Sequence, residues 1–174
     1  LPYPVRQQEI ADIELRLDSD NAWFRRVGDV CRAAMARWHG QVQVSMTDLG
    51  GSLDVVSTFR PGVRLPMDLY DDPARVKRLT WRVHELWWQA YEALSQILDP
   101  LNPGHTAWLR LYSETPYYPL QSDFSYMIGP AMFEEFVKPE LAAACKRLAH
   151  PFYHLDGVGQ LPHLDSILEI EELK

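Results

Sequence analysis

The chain has 174 residues, of which 47% are hydrophobic and 24% are charged, so it is long enough and apolar enough to bury a globular core. The formal net charge is −7 and basic residues are not clustered, so we expect no nucleic-acid partner. We recognise no apolar run long enough for a membrane span and no signal peptide, so we expect no membrane association and a cytoplasmic location.

The first part of the sequence predicts an arm, a helix and a strand. Residues 1–20 mix charged and apolar types without a clear period, which favours an N-terminal arm. Apolar side chains then recur at helical spacing, with Asp20 as the expected N-cap and Gly40 at the end of the helix. Residues 41–47 alternate between polar and apolar types, and this alternation predicts a strand.

The middle of the chain predicts a short helix, a loop and one long helix. A glycine turn at Gly50 leads into the short helix, and residues 60–71 are predicted to form a loop. Asp72 is the expected N-cap of the long helix and Pro73 its first residue, and the apolar residues that follow form a single stripe.

The last part predicts two further strands, near residues 106–112 and 151–155, on either side of another helix. Pro139 predicts a kink in that helix, because proline lacks a backbone donor and crowds the preceding turn. A final helix is predicted over residues 160–170, with three leucines on its inner face: Leu161, Leu164 and Leu168.

This alternation of strands with long amphipathic helices indicates an α/β fold with parallel strands and outer helices. In such folds the loops at the carboxyl ends of the strands carry the chemistry. Three strands are too few to close a barrel, so their edges would need to be covered.

Four segments carry a family resemblance: "VSMTDLGGSLDVVSTFRPG", "LPMDLYDDPARVKRL", "QSDFSYMIGPAMFEEFVKPEL" and "YHLDGVGQLPHLDSILEI". In this order and with these gaps they resemble the uroporphyrinogen decarboxylase superfamily, which includes the cobamide-dependent methyltransferases. The resemblance implies a (βα)₈ TIM barrel, of which this chain has about half the length. We therefore expect an N-terminal arm and helix over residues 1–40 and a partial barrel over residues 41–174. A homo-oligomer or the remainder of the barrel would cover its open edges.

The resemblance leaves three functions open. The leading hypothesis is corrinoid-dependent methyl transfer, with the corrinoid on a partner protein and zinc as the Lewis acid. The alternative is uroporphyrinogen III decarboxylation in porphyrin biosynthesis, a lyase reaction without metal or cofactor. Where the decarboxylase has a Tyr after the glycine turn, this chain has Thr58. The third is a non-catalytic, ligand-binding relic of the barrel.

His154 and Asp156 are the candidate functional residues at the end of the last predicted strand. They lie two residues apart, so their side chains share one face of a strand. The methyltransferases bind zinc through a His-x-Cys pair at this strand, and the resemblance implies His154 and Asp156 as the metal ligands here. With Asp123 they form the predicted catalytic set. Alternatively, Asp156 caps the following turn and His154 fills a polar niche.

Four residues are predicted to bind a small-molecule substrate. Asp48 follows the first predicted strand, and Tyr117, Ser125 and Tyr126 lie in the aromatic loop around Asp123. An acid and a hydroxyl beside aromatic rings suit a planar or ring-bearing ligand. The alternative is a structural loop whose Asp bonds backbone donors.

Other conspicuous residues favour structural roles. His163 falls inside the final helical pattern, on the side that we expect to be solvated or to cap the helix. Cys31 and Cys145 sit on apolar helical faces and are predicted to be buried thiols. An aromatic cluster is predicted to be core or an oligomer face: Trp81, Trp87, Trp88 and Tyr91.

Overall fold

The computed structural model describes residues 8–173. Within that range we number seven α-helices: α1 Ala22–Trp38, α2 Ser52–Phe59, α3 Arg64–Asp71, α4 Pro73–Leu98, α5 Pro130–Phe136, α6 Lys138–Cys145 and α7 Leu164–Leu168. Four strands are short: β1 His105–Thr106, β2 Tyr112–Ser113, β3 Tyr117–Leu120 and β4 His150–Tyr153. Three 3₁₀ helices complete the order: Ile10–Asp12, Asp123–Met127 and Val158–His163. The predicted N-terminal arm lies partly outside the described residues.

Helix α4 is the central element, and helices α1, α2, α3 and α6 pack against it. Its N-terminus forms as predicted: the Asp72 carboxylate accepts the backbone N–H of Arg75, and Pro73 occupies the first turn. One side of the helix is buried along its whole length, from Val76 to Leu98. At about 1.5 Å per residue its 26 residues span about 39 Å.

The strands form two small sheets. β1 pairs with β2 in antiparallel orientation. β3 pairs with β4 in parallel, with Tyr117 opposite His150 and Leu120 opposite Tyr153. A single parallel bridge joins Met46 to Ala107.

The predicted partial TIM barrel with parallel strands and outer helices is wrong. The described structure is 56% helix and 8% strand, and its strands form two pairs and no barrel. Residues 41–47 contribute one bridge and no named strand. The predicted strand 106–112 is broken by a turn, in which Arg110 donates to the Ala107 carbonyl and takes a left-handed φ of 60°. Polar–apolar alternation marks an extended segment, but a strand also needs a backbone partner, and here the partners differ from those expected.

Two further predictions are corrected by tertiary contacts. Residues 64–71 are helix α3 rather than loop, because Leu65 and Leu69 bury an apolar face and Asp68 pairs with the buried Arg60. At the C-terminus, Leu161, Leu164 and Leu168 are exposed, whereas Gln160, His163 and Ile167 are buried. The tighter 3₁₀ turn over Val158–His163 changes which residues share a face.

Two other predictions are met. The predicted kink is a break between α5 and α6, with Pro139 in the first turn of α6. Cys31 and Cys145 are buried and unpaired. Among the helices of residues 8–173, none combines the length and the apolar composition needed to cross a bilayer.

We expect the loss of one partner of the buried Arg60–Asp68 pair to be strongly destabilising. Arg60 Nε and Nη2 donate to the two carboxylate oxygens at 2.5 and 2.8 Å, and both side chains are about 8% exposed. Arg60→Ala should lower the free energy of unfolding by about 3–5 kcal/mol, because Asp68 is left as an uncompensated buried charge. Urea denaturation of the full chain measures this loss.

The matched control is the exposed pair Arg82–Glu85, in which Arg82→Ala should cost about 1 kcal/mol or less. The double variant Arg60→Met/Asp68→Leu should recover much of the loss, because it removes both charges. A loss for Arg60→Ala no larger than that of the control would contradict the expected role.

Candidate functional site

Three of the residues predicted from the sequence follow the carboxyl ends of the parallel pair β3–β4, and a fourth joins them from the loop before α2. Asp123 comes three residues after the end of β3, and His154 and Asp156 follow β4 directly. The Asp48 carboxylate accepts hydrogen bonds from Gln121 Nε2 at 3.4 Å and from the backbone N–H of Gly50 at 2.8 Å. We call Asp48, Asp123, His154 and Asp156 the strand-end cluster.

The other members of the strand-end cluster influence the pKa of Asp123. The pKa of Asp123 is raised above its ordinary value, and the largest cause is desolvation by the atoms packed around its carboxyl group. The negative charges of Asp156 and Asp48 raise this pKa further, while His154 opposes them. All three neighbours therefore lie close enough to Asp123 for their charges to act on it.

His154 is held against an aromatic wall. Its ring meets Trp108 edge to face, with 4.9 Å between centroids and 88° between planes. Its backbone N–H donates to the Leu120 carbonyl at 2.8 Å, which extends the β3–β4 ladder by one residue. His154 as a whole is half-buried.

Asp54, on helix α2, supports the loop that carries Asp123. Its carboxylate accepts the backbone N–H groups of Asp123 at 3.1 Å, Phe124 at 2.6 Å and Gly51 at 3.0 Å. Burial raises the pKa of Asp54, and the Asp123 charge adds to the rise, while the three N–H donors lower it. Asp54 is not among the residues predicted from the sequence, although an acid three residues after a helix N-cap is a known capping signal.

Tyr126 lies beside the strand-end cluster on the same 3₁₀ helix as Asp123. Its side chain is 62% exposed and its ring packs against Gly159. A Cβ at Gly159 would lie only 1.9 Å from the ring, so this contact requires glycine. The contact joins the 3₁₀ helix that carries Asp123 to the one that follows β4.

Two predicted substrate-binding residues lie elsewhere. Ser125 is fully buried, and its hydroxyl donates to Ser122 Oγ at 2.8 Å. Tyr117 begins β3, at the opposite end of the parallel pair from Asp123. There it lines a cavity of about 610 Å³ together with Tyr112, His150 and Phe152. The structure thus does not bring Ser125 or Tyr117 to the strand-end cluster.

His163 is buried rather than solvated. Its Nε2 lies 2.9 Å from the Ser125 carbonyl oxygen, and its ring stacks on Phe133 with 4.6 Å between centroids. The hydrogen bond joins the 3₁₀ helix Val158–His163 to the 3₁₀ helix Asp123–Met127. The helical pattern used for the prediction places His163 on the wrong face because the backbone there is 3₁₀.

The residues present do not complete the zinc site implied by the resemblance. Protein zinc sites use at least three protein ligands, and within this sequence the resemblance implies only His154 and Asp156, its further Cys ligand falling beyond the given residues. Within residues 8–173, no group of three or more His, Cys, Asp or Glu side chains is placed to hold a metal ion. We therefore derive no chemical step through zinc.

Comparison with protein families, with curated proteins and with solved structures finds no match to this chain. The strand-end cluster is therefore interpreted from its own geometry.

Asp123→Asn should change the pH dependence of stability. Because the pKa of Asp123 is raised in the folded state, the folded protein binds this proton more tightly than the unfolded chain. The corresponding stability is present at low pH and is lost as the pH rises through the interval from the ordinary carboxyl value of about 3.9 to the raised value. The Asn variant lacks this loss, so its free energy of unfolding should fall less than that of the wild type over the same interval.

Urea denaturation at a series of pH values makes this comparison. Asp165→Asn is the control, because Asp165 is exposed and lies outside the strand-end cluster. Parallel pH profiles for the wild type and Asp123→Asn would contradict the coupling.

Proposed function

We propose that the strand-end cluster is the acid–base site of an enzyme that acts on a small molecule. The observation that carries the proposal is that Asp123 follows β3 while His154 and Asp156 follow β4, at the same end of the parallel pair. A carboxyl group with a raised pKa keeps its proton to a higher pH than an ordinary Asp, and beside an imidazole it can act as a general acid.

The chemistry follows from these groups. Protonated Asp123 donates its proton to a carbon or leaving group of the substrate as negative charge develops there. In a decarboxylation, the bond between carbon and carboxylate breaks, the electron pair stays on carbon, the Asp123 proton binds that carbon and CO₂ departs. His154 then relays a proton from water to the Asp123 carboxylate, so each turnover consumes one proton from solvent, and Asp156 stabilises the positive charge on His154 during the relay.

The charge of the site favours a neutral or ammonium-bearing substrate. Three carboxyl groups and one imidazole make up the strand-end cluster, and opposite charge is attracted to such a site. A substrate rich in carboxylates, such as a uroporphyrinogen, would be repelled. Porphyrin biosynthesis is therefore the less favoured decarboxylation.

Membership of the uroporphyrinogen decarboxylase-like superfamily remains a proposal that rests on the sequence motifs. Within it, we place metal-independent proton transfer ahead of corrinoid-dependent methyl transfer, because the described residues place no third metal ligand beside His154 and Asp156. A corrinoid-carrying partner protein belongs to that second hypothesis alone.

The proposal also includes a homo-oligomer in the cytoplasm. Exposed Leu161, Leu164 and Leu168 provide an apolar strip suited to a subunit contact. The buried, unpaired thiols of Cys31 and Cys145 fit a reducing compartment.

The test is proton exchange in D₂O. The full chain is incubated with a panel of small amines and amino acids, and mass spectrometry detects deuterium bound to carbon, either exchanged into the compound or introduced when CO₂ leaves. We expect incorporation for at least one ammonium-bearing compound and a rate about 10²–10⁴-fold lower for Asp123→Asn, because the variant has no ionisable carboxyl group.

Asp165→Asn again serves as the matched control and should retain the wild-type rate. Incorporation that is unchanged in Asp123→Asn would overturn the proposal. Binding of the compounds at the strand-end cluster, seen as shifted NMR signals of His154 without any deuterium incorporation, would instead favour the non-catalytic ligand-binding alternative.

A further inference from the structure

We propose that Asp54 is the positioning residue of the strand-end cluster: its carboxylate holds the backbone of Asp123 and thereby sets where the Asp123 side chain lies. The inference rests on the proposed function, because it concerns the placement of the proposed acid.

The hydrogen-bond geometry carries the inference. Asp54 Oδ1 accepts the Phe124 N–H at 2.6 Å, and Oδ2 accepts the Asp123 N–H at 3.1 Å. Both donors are at the start of the 3₁₀ helix, where backbone N–H groups have no partner within the helix. The carboxylate therefore fixes two consecutive peptide units, including the one that bears the Asp123 side chain.

Asp54 is itself anchored. It occupies the first turn of α2, where Oδ2 also accepts the Gly51 N–H at 3.0 Å. On the same helix, Leu53 and Val56 are buried, and α2 packs against the central helix α4. We call the Asp54 carboxylate, with its three backbone N–H donors, the clamp. Packing of α2 in the core sets the position of the clamp, and the clamp sets the position of the 3₁₀ helix.

The clamp joins both loops of the site. Asp54 and Asp123 are 69 residues apart in sequence, and the third donor, Gly51, belongs to the turn that follows Asp48. One carboxylate therefore fixes the loop of Asp48 relative to the loop of Asp123. An amide cannot replace it, because Asn offers one acceptor oxygen and would direct an NH₂ group toward backbone donors.

The experiment is a double-mutant cycle read by NMR titration of the Asp123 carboxyl group in the full chain. In the wild-type background, Asp156→Asn should lower the pKa of Asp123, because it removes a neighbouring negative charge. In the Asp54→Asn background, the released 3₁₀ helix should leave Asp123 without a fixed position near Asp156, so Asp156→Asn should produce no shift. Amide hydrogen exchange at Asp123 and Phe124 should also become faster.

Ser57→Ala is the control for a change elsewhere on the same helix. The Ser57 hydroxyl donates to the backbone carbonyl of Asp54 and does not touch its carboxylate, so the shift caused by Asp156→Asn should persist. If the shift is equally large in the Asp54→Asn background, Asp54 does not position Asp123 and the inference is overturned.

Two other results have distinct meanings. If Asp156→Asn causes no shift even in the wild-type background, the strand-end cluster is not coupled and the proposed function fails first. If Asp54→Asn does not fold, Asp54→Ser, whose single oxygen lies one bond closer to the backbone and does not reach both donors, repeats the cycle. Failure of both variants to fold would make Asp54 a general folding determinant and would overturn a specific positioning role.

Discussion

The contact between Trp87 of α4 and Tyr118 of β3 joins the central helix to the parallel strands. The two rings meet edge to face at 4.8 Å, and each also bonds the glycine turn before α2. The Trp87 indole N–H donates to the Gly50 carbonyl at 3.0 Å, while the Tyr118 hydroxyl accepts the Leu49 N–H at 2.6 Å. Helix, strand and turn are thus held by one pair of buried aromatic residues, and the site loops extend from that junction.

A second set of contacts, a polar network, connects helices α2, α4 and α6. Glu140 of α6 accepts a hydrogen bond from the Ser52 hydroxyl of α2 at 2.9 Å and contacts His84 Nδ1 of α4 at 2.6 Å. Buried polar groups stabilise a structure only when they are paired, and here the same carboxylate oxygen serves both partners. The network fixes α2 against α4, which in turn fixes the end of α2 that carries Asp54.

The candidate site, although it is supported by this packing, places negatively charged carboxyl groups close to one another. Asp54 and Asp123 both have raised pKa values because burial and neighbouring negative charge disfavour their ionised forms. Clusters of carboxyl groups with shifted pKa values are typical of sites that transfer protons, and they reduce the stability of the fold that holds them. Backbone N–H donors offset part of this cost at Asp54.

The amino-acid sequence by itself determined the features that depend on near neighbours along the chain. The start of α4 at Asp72 and Pro73, the break before Pro139 and the buried stripe of α4 all follow from local propensity and helical spacing. The sequence also marked His154 and Asp156 as residues that follow a strand, whereas Asp48 follows no named strand and the strand before Asp123 is β3, in a segment predicted to be irregular. Only the tertiary structure decided which strands pair, that Leu161 faces solvent, and that Asp54 holds the loop of Asp123. These outcomes depend on contacts between residues far apart in sequence, and a local pattern carries no information about which distant backbone group will be the partner.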